Sequence, residues 1–161
     1  MSLRFFNVYG PRQTNNSYGF VIGIFTRQIL ANTPPTVFGD GQQTRDFVYI
    51  ADNIVASLAA LERDQAHGQI INIGSGKETR IVDLAHLIIA IAQKSNLLQP
   101  EFVSGRQHEI ERRCASAQRM RQLLNVDCAT SLEAGIEMML REYLPVPEMP
   151  HLKKEVVLQP V

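Results

Sequence analysis

VFGDGQQTRDFVYIADN, residues 37–53, joins the end of one strand, a glycine turn, a second strand and the start of a helix. Residues 36–38 are β-branched or aromatic, which predicts a short strand, and the turn at residues 39–41 ends it. Residues 47–50 predict the next strand. Two glycines let the backbone turn sharply and approach a ligand closely. The stretch therefore predicts both an α/β unit and a binding loop.

Arg45 is the candidate ligand-binding residue of this stretch. It lies between the glycine turn and the second strand, and its guanidinium group can bond two phosphate oxygens at once. It can equally form a surface ion pair with Asp46. The residues by themselves leave both interpretations open.

Strands and helices alternate along the rest of the chain, which is typical of an α/β fold. Residues 4–8, 69–73 and 101–103 predict further strands. Apolar spacing predicts helices over residues 21–32, 50–68, 82–93 and 130–143, because residues three or four positions apart share one helix face. The second helix has Ile50, Ile54, Leu58 and Leu61 as its apolar stripe, Asp52 near its positive N-terminal end and Gly68 as its expected stop. Thr130 and Glu133 have capping-box spacing before the last helix.

Composition limits the classes of function. The chain has 161 residues, of which 45% are hydrophobic, so it can form one domain with a core. Lys plus Arg equals Asp plus Glu at 16 each, so no overall charge attracts nucleic acid or a membrane surface. Apolar runs are too short for a membrane span and no signal-peptide pattern is present. We expect a cytoplasmic protein without nucleic-acid or membrane partners.

The cysteines indicate neither a disulfide framework nor a metal site. Cys114 and Cys128 are the two cysteines of the chain, and no Cys-x-x-Cys or matching His spacing accompanies them. We expect two reduced thiols and no bound metal.

GSGK at residues 74–77 follows a predicted strand and precedes a predicted helix, as a phosphate-binding loop does. The spacing does not fit. A P-loop needs Gly where Ile71 stands and Ser or Thr where Glu78 stands, and a dinucleotide motif needs Gly where Thr79 stands. A tight structural turn is therefore the preferred interpretation.

RFFNVYGPRQ, residues 4–13, combines a strand with polar groups. Asn7 interrupts an apolar strand and Arg12 follows in a turn, which is typical of the rim of a binding site. GRQHEIERR, residues 105–113, places three arginines around His108 and Glu109. Such a cluster can bind a diphosphate through Arg and a sugar hydroxyl through Glu, and it can equally be a solvated loop.

These stretches, together with NIGSGKETRIVDLA and SLEAGIEMMLREY, resemble the C-terminal half of the NAD-dependent nucleotide-sugar epimerases and dehydratases, which are extended short-chain dehydrogenase/reductases. The order and spacing match over residues 3–144. The resemblance implies an α/β fold, α+β in this fragment: a small mixed-sheet substrate-binding domain that lacks most of the Rossmann domain. Residues 145–161 form a Pro-rich tail that we expect to be poorly ordered.

The resemblance also implies a set of site residues. Asn7 and Arg106 would contact the diphosphate, Arg45 would contact the diphosphate or the ribose, and Glu109, where the family usually has Asp, would lie near the ribose. RQHE at residues 106–109 departs from the family's usual Arg-x-Gly-Asp. The base would lie beside Val37, Phe38 and Gln43, the channel would be lined by Tyr18, Gly19, Phe20 and Val21, and the nicotinamide end would be walled by Phe5 and Phe6.

The family's catalytic and cofactor motifs are absent from this sequence. No Tyr is followed by Lys four residues later, and no Gly-x-x-Gly-x-x-Gly is present to hold the pyrophosphate of NAD. We expect no catalytic residue here and no NAD bound by this chain alone. The parent enzyme would be an NAD-dependent isomerase or lyase acting on a UDP-, GDP- or dTDP-sugar.

Two other interpretations stay open: a stand-alone nucleotide-sugar binding or regulatory module, and a remnant domain kept for protein contacts. The apolar strand at residues 3–9, without a Rossmann half beside it, further predicts a homodimer through this strand. The competing outcome is that the strand folds back on its own domain.

Overall fold

Four α-helices form where the apolar spacing predicted them. The computed structural model describes residues 1–13 and 20–143, so the predicted tail at residues 145–161 lies outside the described part. Among the described residues, no helix is long and apolar enough to span a membrane. The helices are α1 (Val21–Leu30), α2 (Ile50–Glu62), α3 (Ile81–Ile91) and α4 (Leu132–Arg141), and a 3₁₀ turn (Asp64–Ala66) and a π-helical turn (Met120–Leu124) lie between them.

The described strands are short and pair in small sheets. They are β1 (Ser2–Phe5), β2 (Val8–Tyr9), β3 (Thr36–Phe38), β4 (Thr44–Arg45), β5 (Val48–Tyr49), β6 (Ile70–Ile73), β7 (Thr79–Arg80), β8 (Glu101–Val103) and β9 (Arg112–Arg113). Three parallel pairs form, β1 with β6, β2 with β5 and β3 with β8. In the fourth sheet β4 lies between antiparallel β7 and parallel β9. The mixed α/β fold predicted from the alternation is confirmed.

The N-terminal strand folds back on its own chain. Ser2 to Phe5 pair in register with Ile70 to Ile73, and the strand then breaks before Val8 pairs with Val48. This is the outcome that competed with an unpaired apolar edge. The homodimer through residues 3–9 gains no support from this arrangement and stays a prediction.

Helix α2 turns its large apolar residues away from the core, so the predicted packing face was wrong. Ile54, Leu58 and Leu61 are each more than half exposed, whereas Ala56 and Ala60 are fully buried. Ala56 and Ala60 instead pack in one buried apolar cluster with Ile71 of β6 and Met120 of the π-helical turn. Apolar spacing identifies a helix but does not say which face has a partner.

Two helix boundaries also differ from the sequence interpretation. Helix α2 ends at Glu62, before the 3₁₀ turn, and not at Gly68. The N-cap of α4 is Ser131 and not Thr130: the Ser131 hydroxyl accepts a hydrogen bond from the Ala134 amide. Thr130 instead donates its amide to the buried Asp52 carboxylate.

Two apolar clusters form the core. The first joins α1, α3 and α4 around Phe25, Ile88 and Ile136. The second lies between α2, β6 and the π-helical turn, around Ile71 and Met120. The β2, β3 and β5 strands enter the first cluster through one face, which leaves their other groups available to line a surface cavity.

Asp46 ties three distant segments together. It is fully buried, and its carboxylate accepts hydrogen bonds from the Ser75 amide at 2.9 Å, the Ser75 hydroxyl at 2.6 Å, the Gly76 amide at 2.9 Å and the Ala115 amide at 3.0 Å. At Gly74 an added Cβ would come within 2.2 Å of Ala115, so only glycine fits there. GSGK is thus a structural turn around a carboxylate, as its spacing indicated.

We predict that Asp46→Ala lowers the free energy of unfolding by at least about 3 kcal/mol, because four hydrogen-bond donors, one of them buried and three partly buried, lose a charged acceptor at once. Urea unfolding followed by circular dichroism measures this. Glu137→Ala, an exposed substitution on α4, is the matched control and should change stability by less than about 0.5 kcal/mol. A loss below about 1 kcal/mol for Asp46→Ala would show that the Asp46 network is not a major support of the fold.

Candidate functional site

A cavity of about 340 Å³ opens beside the start of α1 and the ends of β2, β3 and β4. Its wall combines aromatic and aliphatic side chains with two arginines and one carboxylate. Eight of the residues predicted for the site line it together: Asn7, Phe20, Val21, Phe38, Gln43, Arg45, Arg106 and Glu109. Segments that are far apart in sequence therefore converge on one surface.

Arg45 is the most firmly held cation of this cavity. One guanidinium nitrogen donates to the Thr44 and Ile110 carbonyls, each at 2.7 Å, and the other forms an ion pair with the Glu109 carboxylate. The Arg45 side chain is only 13% exposed. The sequence alternative of an ion pair with Asp46 is wrong, because that carboxylate is taken up by the backbone amides of the GSGK turn.

The ring of Phe38 forms an aromatic platform in the wall of the same cavity. The guanidinium carbon of Arg106 is 4.0 Å from the centroid of the Phe38 ring, which is a cation–π contact. Gln43 fixes the same strand, since its side-chain amide donates to the Phe38 carbonyl at 2.9 Å. A flat ring system of a ligand could stack on Phe38 if Arg106 moved aside.

Asn7 lies between two cavities. Its side-chain amide donates to the Asp46 carbonyl at 2.7 Å, so this polar residue, which lies between β1 and β2, holds the start of β2 to the segment that carries Arg45. The second cavity, of about 460 Å³, shares Asn7 with the first and is lined by Phe5, Phe6 and Arg113. Phe5 and Phe6 were predicted to wall the nicotinamide end of the pocket, and in the structure they line this second cavity.

Some predicted site residues lie elsewhere. Val37 is fully buried in the first core cluster, on the strand face opposite Phe38. Arg112, from the arginine cluster, forms an ion pair with Glu78 at 3.0 Å. Tyr18 and Gly19 lie outside the described residues.

Eight residues that line the cavity were not predicted as site residues: Val8, Tyr9, Ile22, Ile24, Phe25, Thr36, Phe47 and Ile81. Thr36 had a signal, because residues two apart in a strand point to the same side and Phe38 was predicted. Phe47 packs edge-on against Tyr9, and Ile81 starts α3. Their approach to the cavity depends on how distant elements pack, so no local pattern could have indicated it.

The described titratable groups include no candidate nucleophile or metal centre. Burial, with a smaller contribution from the charge of Asp52, raises the pKa of Cys128 to about 12. Burial and the neighbouring Asp46 also raise the pKa of Cys114. Both are free thiols, and no group of three or more His, Cys, Asp or Glu in the described residues could hold a metal ion.

Comparison with protein families gives one match. Residues 1–74 match the model of the NAD-dependent epimerase/dehydratase family. The chain is 36% identical over 135 residues to an uncharacterized UDP-glucose epimerase, YtcB, of Bacillus subtilis. It is 48% identical over 86 residues to a putative UDP-glucose 4-epimerase of Methanocaldococcus jannaschii. The first alignment includes 83% of this chain but only 41% of the relative, so this chain spans less than half of that relative's length.

Solved structures match the fold. A UDP-glucose 4-epimerase of Thermotoga maritima, solved with UDP-glucose, superposes with a TM-score of 0.82 at 30% identity over 88% of this chain and 44% of that one. A UDP-glucuronic acid 4-epimerase of Bacillus cereus, in complex with UDP-glucuronic acid and NAD, gives a TM-score of 0.78 at 35% identity over 86% of this chain and 43% of that one.

We predict that both thiols react slowly with iodoacetamide near pH 8. Because the raised pKa keeps Cys128 protonated until about pH 12, its alkylation should be at least about a hundredfold slower in the folded chain than in urea. Cys114, which is exposed, should react faster than Cys128. Mass spectrometry of the alkylated peptides measures both rates. Equal rates for Cys128 in the folded and the unfolded chain would contradict the prediction.

Proposed function

Because this chain belongs to the NAD-dependent epimerase/dehydratase family, we propose that it binds the nucleoside diphosphate part of a nucleotide sugar. In this proposal residues 3–144 are the substrate domain of an NAD-dependent nucleotide-sugar epimerase or dehydratase, and the chain is not catalytic alone. The nucleoside of this nucleotide sugar is uridine, guanosine or deoxythymidine.

One observation supports this proposal above the others: a single cavity is lined both by an aromatic ring, that of Phe38, and by the guanidinium of Arg45, whose side chain is only 13% exposed. Phe38 offers a flat apolar face, and Arg45 offers donors that match phosphate oxygens. A nucleoside diphosphate has the same two parts in the same molecule. The second arginine, Arg106, gives the cavity one more positive charge than the single carboxylate of Glu109 cancels.

The proposed roles follow from these positions. Arg45 and Arg106 bind the diphosphate, with Asn7 at the border between the cavities. Phe38 and Gln43 lie beside the base. Glu109 lies near the ribose, and the start of α1 at Phe20 and Val21 lines the channel. Val37 does not contact the ligand in this proposal, and its role is to anchor the β3 strand in the core.

The cofactor is proposed to belong to a part of the relatives that this chain does not span. The B. cereus structure contains NAD, whereas this sequence lacks the glycine motif and the Tyr/Lys pair. The exposed apolar face of α2 is a surface on which a cofactor-bearing half could pack, and Phe5 and Phe6 would wall the cavity toward the nicotinamide. Location in the cytoplasm stays a prediction.

We predict that Arg45→Ala weakens binding of UDP-glucose by about 1.5–3 kcal/mol, a loss of roughly ten- to hundredfold, because a charged hydrogen-bond donor to the diphosphate is removed. Isothermal titration calorimetry measures the affinity. Arg121→Ala is the matched control: it also removes a paired arginine, the partner of Asp127, but one that does not line the cavity.

Unchanged affinity in a folded Arg45→Ala chain would rule out the role of Arg45. Titration with UDP-, GDP- and dTDP-sugars identifies the base. If the native chain binds none of the three, the substrate-domain proposal fails and a domain kept for protein contacts becomes the better interpretation.

We also predict that NAD binds this chain with a dissociation constant above about 100 μM, equivalent to less than about 5.5 kcal/mol of binding free energy. The reason is that no glycine-rich motif of the kind that holds the pyrophosphate occurs in the sequence. Fluorescence or calorimetric titration with NAD measures this, with UDP-glucose as the positive control. Tighter binding of NAD would show that the sequence motifs are not required.

A further inference from the structure

One loop contacts both Phe38 and Arg45, which line the cavity of about 340 Å³. The 104–111 loop joins β8 to β9, and all of its residues are exposed. Its Arg106 lies over the ring of Phe38, and its Glu109 forms an ion pair with Arg45. Phe38 and Arg45, the two residues that a nucleotide would contact in the proposed function, are therefore both in contact with this loop.

The two contacts reproduce the chemistry of a nucleoside diphosphate. A guanidinium is a flat, delocalised group that stacks on an aromatic face, as a base does. A carboxylate presents two anionic oxygens to an arginine in the same forked geometry as a phosphate. Arg106 thus takes the position of a base on Phe38, and Glu109 takes the position of a phosphate on Arg45.

Backbone–backbone hydrogen bonds hold the two ends of the loop, whereas its middle contacts the cavity through bonds of other kinds. At one end the Gly39 amide donates to the Val103 carbonyl at 2.9 Å, and at the other the Thr44 amide donates to the Glu111 carbonyl at 2.7 Å. Between these ends, the loop contacts the cavity through the side chains of Arg106 and Glu109 and through the Ile110 carbonyl, which accepts a hydrogen bond from Arg45. The side-chain contacts can break without unpairing β8 or β9.

We propose that the 104–111 loop is an internal competitor for the nucleotide site, with Glu109 as the group that occupies Arg45 until a diphosphate displaces it. The proposal rests on the proposed function of the cavity. A ligand must displace Arg106 from Phe38 and Glu109 from Arg45, so the site favours a molecule that carries both a flat base and a diphosphate. Once released, Arg106 and Glu109 are free to contact that ligand.

Glu109→Gln tests the competition, because it removes the charge that holds Arg45 and keeps the size of the side chain. Glu111→Gln is the matched control: it removes the same charge from the same loop at an exposed side chain that does not line the cavity. The probe is inorganic pyrophosphate, which has no base and no ribose. Calorimetry on the full chain measures its affinity for the native protein and for both variants, and UDP is titrated in parallel.

We expect Glu109→Gln to bind pyrophosphate about three- to tenfold more tightly than the native chain, the range for a partly exposed ion pair, and Glu111→Gln to change the affinity by less than about twofold. Equal gains in the two variants would mean that only the net charge matters and would overturn the proposal. So would an unchanged pyrophosphate affinity in Glu109→Gln.

The outcomes separate this proposal from the proposed function. If UDP binds the native chain and Glu109→Gln weakens UDP without strengthening pyrophosphate, then Glu109 is simply a ribose ligand: the competition is overturned and the function stands. If neither probe binds any of the three proteins, both proposals fall. If pyrophosphate binds only Glu109→Gln, the competition is supported directly.

Discussion

The buried carboxylate of Asp46 is the interaction on which the arrangement of this chain depends. A charge without access to water is costly unless hydrogen bonds replace its hydration, and here amides from residues 75, 76 and 115 and one hydroxyl do so. The same bonds bring the β6–β7 turn and the segment after β9 against the β4–β5 connection. One side chain therefore sets the relative position of three segments that lie up to 69 residues apart.

The candidate cavity lies next to the segments that Asp46 holds together, and Asp46 itself stays buried. Arg45 precedes Asp46 directly, so fixing the carboxylate inward fixes the neighbouring side chain outward, because adjacent residues of an extended backbone point to opposite sides. Asn7 bonds the carbonyl of the same Asp46 and so brings the N-terminal strand to the cavity wall. The wall is thus held by the hydrogen bonds of the buried Asp46 carboxylate and of the Asn7 side chain, whereas the exposed 104–111 loop contacts the cavity through Arg106, Glu109 and the Ile110 carbonyl. The competition that we propose uses this difference, because the loop contacts can break while the bonds of Asp46 stay in place.

Several elements followed from the sequence because their signals are local. The β3 and β8 strands have the predicted ends, and α1, α3 and α4 lie within about a turn of their predicted ends. The spacing around GSGK correctly excluded a phosphate loop. The two-residue strands β4, β7 and β9 were missed, since each exists only through pairing with another and has no pattern of its own. The core face of α2 was predicted wrongly for a related reason. The alanines are the residues of this helix that pack in the cluster with β6, and sequence spacing contains no information on that packing.

The sequence by itself determined the alternation of helices and strands, the glycine turns, the absence of a cofactor motif and, with the family resemblance that its motifs carry, eight of the sixteen residues that line the cavity. These depend on residue type, on spacing along a helix or strand and on short motifs. Only the tertiary structure decided the partner of each charge: Arg45 pairs with Glu109, 64 positions away, and not with its neighbour Asp46. It also decided that Val37 belongs to the core while Phe38 faces the cavity. The physical reason is the same in each case, because burial and ion pairing depend on which distant surface approaches a residue, and that approach is fixed by the packing of the whole chain around Asp46.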